Sequence, residues 1–123
     1  MSNSRAERVG ALIFEEISLV LIHKLEDPRL KGASITRVRM TRDLKTAYVY
    51  YSLIGDETKI LEAGQAFEKA KGVLKRSVGR NLGLRYTPEL EFHHDKNLDH
   101  ADRIERILKE IHDQEPDPDQ GGD

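Results

Sequence analysis

The chain has 123 residues, of which 37% are hydrophobic and 34% are charged, and its formal net charge is −2 at pH 7. This length suits one domain with one modest core, and the composition is typical of a globular protein with a heavily charged surface. The lack of cysteine excludes disulfides and thiolate metal sites, and the sequence has neither a secretory signal pattern nor an apolar run near the ~18 residues of a membrane span. We therefore expect a cytoplasmic protein.

The negative net charge conceals a basic domain followed by an acidic tail. Residues 112–123 contain five acidic residues and no Lys or Arg, and without them the chain has 20 basic and 17 acidic residues. The same twelve residues include two prolines, two glycines and no large apolar side chain. We therefore expect one domain over residues 1–111 and a disordered tail over residues 112–123.

The first predicted element is a helix. Ser4 and Glu7 have the spacing of a capping box, and apolar residues then recur at helical spacing as far as Leu21. Asp27 followed by Pro28 predicts the end of this helix, because the residue before a proline disfavours the helical conformation.

Two strands follow, over residues 34–40 and 46–53, and their short polar connection predicts an antiparallel hairpin. In the first strand, alternation places one set on one face (Thr36, Val38, Met40) and the other set on the opposite face (Ile35, Arg37, Arg39). The outer face of the hairpin is expected to carry Arg37, Arg39, Tyr48 and Tyr50. Such a face suits a stacking platform for bases, and the ordinary alternative is an exposed sheet face with cross-strand Arg–Tyr packing.

The next segment, residues 58–82, has an apolar stripe with a period close to 3.6, which alone predicts one long helix. Gly72 costs ~1 kcal/mol relative to Ala in a helix interior, and Lys71 falls on the apolar face of a continuous helix. Together they favour a break into two helices at Ala70, Lys71 and Gly72. The alternative is a straight helix in which the Lys71 side chain extends to solvent.

A third strand over residues 90–95 and a short helix over residues 101–111 complete the order of elements, which indicates an α+β fold. On the long helical segment, Lys69, Arg76 and Arg80 fall together opposite the apolar stripe, with Lys75 nearby. A merely solvated face usually mixes Glu with Lys, so this bias in sign favours contact with phosphates. The candidate RNA-binding residues are Lys69, Lys71, Lys75, Arg76, Arg80 and Arg85, with Arg37, Arg39, Arg42 and Lys45 on the hairpin side.

Catalytic and metal-binding patterns are not evident. His93 and His94 are neighbours in a predicted strand, so they point to opposite faces. The sequence contains no phosphate-binding glycine loop of nucleotide hydrolases, no nucleophile elbow and no metalloprotease helix motif. We therefore expect no enzyme activity, no metal, no cofactor and no small-molecule substrate.

Four collinear segments resemble one known family, ribosome-binding factor A, and the resemblance extends from about Arg5 to Leu108. They are residues 26–30 (Glu-Asp-Pro-Arg-Leu), residues 40–44 (Met-Thr-Arg-Asp-Leu) with Ala47, Val49 and Tyr51, residues 70–72 (Ala-Lys-Gly), and residues 84–90 from Leu-Arg to Pro-Glu-Leu. The resemblance implies a KH-like fold of the αββααβ kind (type II), with a three-stranded sheet covered by helices on one face. Where KH domains carry a G-x-x-G backbone clamp, this family carries Ala-x-Gly at an interhelical kink. The residues matching it here, Ala70 to Gly72, are then interpreted as a structural elbow, and RNA binding is assigned to the basic residues around them.

The resemblance also implies a function. The family consists of assembly factors that bind the free small (30S) ribosomal subunit late in its maturation. They contact 16S rRNA, assist 5′-end processing without cutting RNA, and matter most in the cold. A monomer is expected. Two alternatives remain open: a protein-interaction module that docks a partner through its sheet edge or terminal helix without RNA contact, and a metal-dependent nuclease using residues 93–100.

Overall fold

A computed structural model describes residues 4–96 as two helices packed on one face of a three-stranded sheet. The predictions for residues 101–111 and 112–123 lie outside this range. The elements are α1 (Arg5–His23), a 3₁₀ turn (Pro28–Leu30), β1 (Ser34–Met40), β2 (Thr46–Ser52), α2 (Glu57–Asn81) and β3 (Glu89–His94). Within residues 4–96, no helix is long and apolar enough to cross a membrane.

The predicted capping box begins α1. The Glu7 N–H donates to Ser4 Oγ and the Ser4 N–H donates to Glu7 Oε1, each at 3.1 Å. The helix ends at His23, four residues before the predicted Asp27 boundary. Pro28 instead begins the 3₁₀ turn, where the Asp27 side chain accepts from the Arg29 N–H.

The hairpin of β1 and β2 is antiparallel, as predicted, and β3 lies parallel to β2 on its other side. One part of the predicted alternation is wrong: Ile35 is buried, rather than sharing the exposed face of Arg37 and Arg39. The register shifts between Ile35 and Arg37, so Thr36 forms a bulge that turns Ile35 toward the core. The Thr36 hydroxyl lies within hydrogen-bonding distance of Asp95 Oδ2 and the Tyr50 carbonyl oxygen, which holds the bulge in place.

The core lies between the inner face of the sheet and the two helices. Phe67 of α2 is fully buried; its ring centroid is 4.6 Å from that of Tyr51 on β2 and 5.2 Å from that of Phe92 on β3. A polar contact joins the helices, because the Ser77 hydroxyl and the Asn81 amide both donate to the Glu16 carboxylate and lower its pKa. The α+β class and the KH-like architecture are thus confirmed.

The predicted break in the second helical segment is not present, because α2 is helical without interruption from Glu57 to Asn81. The Lys71 side chain remains about one-third exposed and its ammonium lies 2.9 Å from the Glu68 carboxylate one turn earlier. This is the straight-helix alternative, with Lys71 reaching solvent along the helix surface. The ~1 kcal/mol propensity cost of Gly72 is outweighed by the burial of residues on both sides of it, including Phe67 and Leu74.

Candidate nucleic-acid interface

The outer face of the hairpin carries four predicted residues in two cross-strand pairs. Arg37 lies opposite Tyr50 and Arg39 lies opposite Tyr48. The guanidinium carbons lie 4.0 Å and 4.7 Å from the centroids of the respective tyrosine rings, within the range of cation–π contacts. Arg37 Nε also lies 3.8 Å from the buried Asp95 carboxylate. The cross-strand Arg–Tyr packing expected as the alternative to base stacking is therefore formed, and both arginines remain exposed.

His93 extends this face onto β3. It pairs with Tyr50 in the parallel ladder, and its ring centroid is 5.7 Å from that of Tyr50 and 6.0 Å from that of Tyr48. His94 lies instead beside Tyr51 of the core face, at 5.9 Å between ring centroids, so the two histidines are on opposite sides of the sheet. In residues 4–96, no group of three His, Asp or Glu side chains is arranged to hold a metal ion.

The remaining predicted hairpin residues, Arg42 and Lys45, lie in the exposed turn between β1 and β2. The Asp43 carboxylate accepts from the Thr41 hydroxyl at 2.7 Å and from the Lys45 N–H at 3.1 Å, and these two bonds lower the pKa of Asp43. The turn presents both cations on a backbone held by these side-chain bonds. We call Arg37, Arg39, Arg42 and Lys45 the hairpin surface.

The basic residues of α2 form a second group, the helix surface, which consists of Lys69, Lys71, Lys75, Arg76 and Arg80. Lys69, Arg76 and Arg80 are exposed. Lys71 and Lys75 are only about 30% exposed, and each ammonium lies 2.9 Å from a carboxylate, that of Glu68 and that of Glu89 respectively. The hydrogen bond from Lys75 and its positive charge lower the pKa of Glu89. Lys71 and Lys75 thus already have an anionic partner.

Arg85 was predicted together with the α2 residues, but the structure places it beside the hairpin turn. Its guanidinium lies 5.4 Å from the Tyr86 ring centroid in the loop between α2 and β3. Arg85 and Lys45 line the same surface cavity, and Arg5 from the first turn of α1 is also in its wall. Sequence patterns did not select Arg5, because it lies neither on the hairpin nor on the long helical segment and reaches this site only through the packing of α1.

Arg5 also lines a second depression with Arg37, Arg39 and Arg42, which joins the cavity to the hairpin surface. Over residues 4–96, the chain has 17 Lys and Arg residues against 13 Asp and Glu residues. The part of the chain that the structure describes is therefore basic, and its cations are concentrated on the hairpin surface, the helix surface and the cavity between α1 and the turn. A polyanion is the ligand that such an arrangement suits.

A family profile and individual relatives both assign this chain to one family. The profile of the family described as Ribosome-binding factor A matches residues 5–108. The ribosome-binding factor A of Desulfatibacillum aliphaticivorans is 47% identical over 110 residues, 89% of this chain and 89% of the relative. That of Staphylococcus carnosus is 38% identical over 112 residues, 91% of this chain and 97% of the relative.

Solved structures show the same relationship. The crystal structure of ribosome-binding factor A from Thermus thermophilus matches with a TM-score of 0.65 and 26% identity, covering 72% of this chain and 93% of that one. A homology model of the Thermus thermophilus factor, fitted into a cryo-EM map of a 30S–ribosome-binding factor A complex, matches with a TM-score of 0.61 and 28% identity, covering 73% and 93%. Both likenesses extend over most of the described fold.

Proposed function

Because this chain belongs to the ribosome-binding factor A family, we propose that it binds the free 30S ribosomal subunit through 16S rRNA during late maturation of that subunit. The observation that carries the proposal is that eight of the ten sequence-predicted cations are exposed on a family fold whose Thermus relative is described in a complex with 30S. We place this activity in the cytoplasm, where free subunits mature.

The proposed mechanism follows from the distribution of charge. Lys and Arg side chains of the hairpin and helix surfaces contact rRNA phosphates, which supplies affinity with little dependence on sequence. The binding free energy favours one rRNA conformation over others, so the protein shifts a population rather than breaking a bond. In this proposal the protein assists 5′-end processing of 16S rRNA as a non-catalytic factor, and its effect is largest in the cold, where rRNA conformations exchange slowly.

Salt dependence gives the first quantitative test. If about five phosphates are neutralised, the slope of log K against log salt concentration is roughly −3.5 to −4.5. Charge reversal at Arg76 and Arg80 is expected to weaken subunit binding. A flat salt response, or normal binding by that variant, would contradict the proposed phosphate contacts.

The test of the partner is gradient sedimentation of a cell lysate at low salt, probing the fractions for this chain. We expect it in the free small-subunit fraction, and its presence with large subunits, or free of any subunit, would overturn the proposal. Nuclease treatment distinguishes the alternative of a protein-interaction module, because binding that survives digestion of the RNA belongs to a protein partner. For the processing role, cells lacking the protein are expected to accumulate 16S precursors with unprocessed 5′ ends, more at low temperature than at high.

A further inference from the structure

A cavity of about 680 Å³ opens at the hairpin end of the molecule. Three segments far apart in the sequence form it: the first turn of α1, the β1–β2 turn and the loop that leads from α2 to β3. Its volume lies within the range of small-ligand pockets, which is about 300–1,000 Å³. The phosphate contacts proposed for the helix surface assign no ligand to this cavity.

The lining combines apolar surface with cations. Leu44 and Leu84 are partly buried and pack on the hydrophobic core, while the Tyr86 side chain stands at the rim with 73% of its surface exposed. Arg5, Lys45 and Arg85 supply three positive charges around this apolar floor. An aromatic ring beside Arg and Lys side chains is the combination that binds single-stranded nucleic acid, where the ring stacks on a base and the cations follow the backbone.

Two acids also line the cavity, and both are already bonded within the protein. The Asp43 carboxylate accepts from the Thr41 hydroxyl and the Lys45 N–H. The Glu89 carboxylate accepts from the Lys75 ammonium at 2.9 Å. Lys75 balances the charge of Glu89, so Arg5, Lys45 and Arg85 face one remaining carboxylate charge, that of Asp43. The cavity therefore keeps a net positive charge suited to phosphate.

The walls are held in place before any ligand binds. Leu44 has a φ of 62°, in the left-handed region, and its N–H donates to the Thr41 carbonyl at 2.9 Å. The Glu89 N–H donates to the Lys45 carbonyl at 2.9 Å, which joins the hairpin turn to the start of β3. On the other wall, Gly79 of α2 lies so close to Thr87 that an added Cβ would be 2.6 Å from its hydroxyl oxygen. A preformed cavity binds with less loss of conformational entropy than a flexible loop does.

We propose that this cavity receives one unstacked base of a single-stranded RNA segment, which stacks on Tyr86 above the Leu44 and Leu84 side chains. Arg5, Lys45 and Arg85 bind the phosphates on either side of that base. Paired bases of a duplex cannot enter, because they are stacked inside the helix. The inference rests on the proposed binding of rRNA and adds a place where the protein distinguishes single-stranded from double-stranded segments.

The test uses the full chain and a fluorescently labelled ten-nucleotide oligouridylate, with an abasic oligonucleotide of the same length and charge as the control probe. Tyr86→Ala removes the stacking ring, and Tyr86→Phe keeps it. We expect Tyr86→Ala to weaken oligouridylate binding roughly 5- to 150-fold, with an unchanged salt slope because the phosphate contacts remain. Tyr86→Phe should bind within about twofold of the wild-type protein, since the ring supplies the stacking energy. The abasic probe should bind the wild-type and Tyr86→Ala proteins equally.

Three results would overturn the inference: wild-type affinity of Tyr86→Ala for oligouridylate, an equal loss on the abasic probe, or equally effective competition by a ten-base-pair RNA duplex. Because Tyr86 is largely exposed, both variants are expected to fold, and circular dichroism checks this. Sedimentation of the wild-type protein with free 30S subunits is measured in parallel. If the wild-type protein sediments with 30S while Tyr86→Ala binds RNA normally, the cavity assignment fails and the proposed function stands; if it does not sediment with 30S, the proposed function itself fails.

Discussion

The hairpin surface and the helix surface carry similar numbers of cations but hold them differently. On the hairpin surface, Arg37 and Arg39 lie over tyrosine rings, which orient a guanidinium group without neutralising it, and the contact of Arg37 with Asp95 is long, at 3.8 Å. On the helix surface, Lys71 and Lys75 are bonded to carboxylates at 2.9 Å. A lysine that binds a phosphate must first give up such a partner. A count of basic residues therefore overstates the number of helix-surface cations that are available to phosphates. We expect the hairpin surface to contribute more affinity for RNA per cation.

The largest effect is expected from a comparison of RNA affinity between two double variants, each of which removes two cations. Arg39→Ala with Arg42→Ala should lower affinity for 16S rRNA about 25- to 60-fold at 0.1 M salt and flatten the log–log salt slope by about 1.4 to 1.8, if both side chains contact phosphates. Lys71→Ala with Lys75→Ala should lower affinity less than about tenfold, because each lysine exchanges an ion pair for a phosphate contact. Filter binding over a salt series measures both. Equal losses would remove the distinction between the two surfaces.

A smaller effect concerns the backbone of the helix surface. Gly72 and Gly79 are both glycines of α2, but an added Cβ at Gly72 would meet only the Arg76 side chain at 3.5 Å, an ordinary contact. Gly72→Ala should therefore raise the free energy of unfolding by about 0.5–1 kcal/mol. Gly79→Ala should lower it by about 1 kcal/mol, because the 2.6 Å approach to Thr87 outweighs the gain in helix propensity.

Urea unfolding of both glycine variants checks the signs. The same variants test the elbow assigned to Ala70–Gly72 from family resemblance. Because α2 is continuous through Gly72, we expect Gly72→Ala to stabilise the free protein and to bind 30S normally. Weakened 30S binding by the stabilised variant would contradict a straight α2 in the complex.

These positions also show what the sequence could predict. The bounds of β1, the capping box of α1 and the shared face of Arg37, Arg39, Tyr48 and Tyr50 follow from local periodicity and are as predicted. The burial of Ile35 could not be predicted, because the bulge depends on Asp95, which is 59 residues away from Thr36 in the sequence.

The continuity of α2 and the position of Arg85 were missed for related reasons. Gly72 is unfavourable in a helix on local grounds, but the compensating burial of Phe67 and Leu74 is a property of the packed core. The cavity combines Arg5, Lys45 and Arg85 from three segments, so no local spacing indicates it. The Glu68–Lys71 pair differs, since its i, i+3 spacing is visible in the sequence and is typical of an ion pair on a continuous helix.

A third prediction tests neutralisation directly. Glu68→Gln leaves Lys71 without its carboxylate partner, so one more helix-surface cation becomes available and affinity for 16S rRNA should rise about five- to eightfold at 0.1 M salt. Glu57→Gln is the control, because it removes the same charge from the exposed surface of α2 without releasing Lys71. An equal rise in both variants would mean that net charge, rather than the freed lysine, determines affinity.

The smallest expected effect lies at the 3₁₀ turn, where a third cation beside the helix surface is neutralised. The Arg29 side chain donates to both Asp27 oxygens, at 3.0 Å and 2.7 Å, and its N–H adds a bond at 2.9 Å. These bonds lower the pKa of Asp27 from its usual 3.8 to about 2. Because the pKa is lower in the folded protein, this group stabilises the fold fully above about pH 4 and loses that contribution as the pH falls toward 2.

Carbon-13 NMR titration of the Asp27 carboxyl group measures this pKa. In Arg29→Ala, the side-chain bonds and the positive charge are lost but the N–H of residue 29 still donates, so the pKa should lie between about 2 and 3.8. A wild-type pKa near 3.8 would mean that the pair does not persist in solution and that Arg29 is a free cation. The charge of Lys69 also contributes to the low pKa of Asp27, so Lys69 would then have a second available cation, Arg29, beside it. The helix surface would in that case contribute nearly as much affinity for 16S rRNA as the hairpin surface.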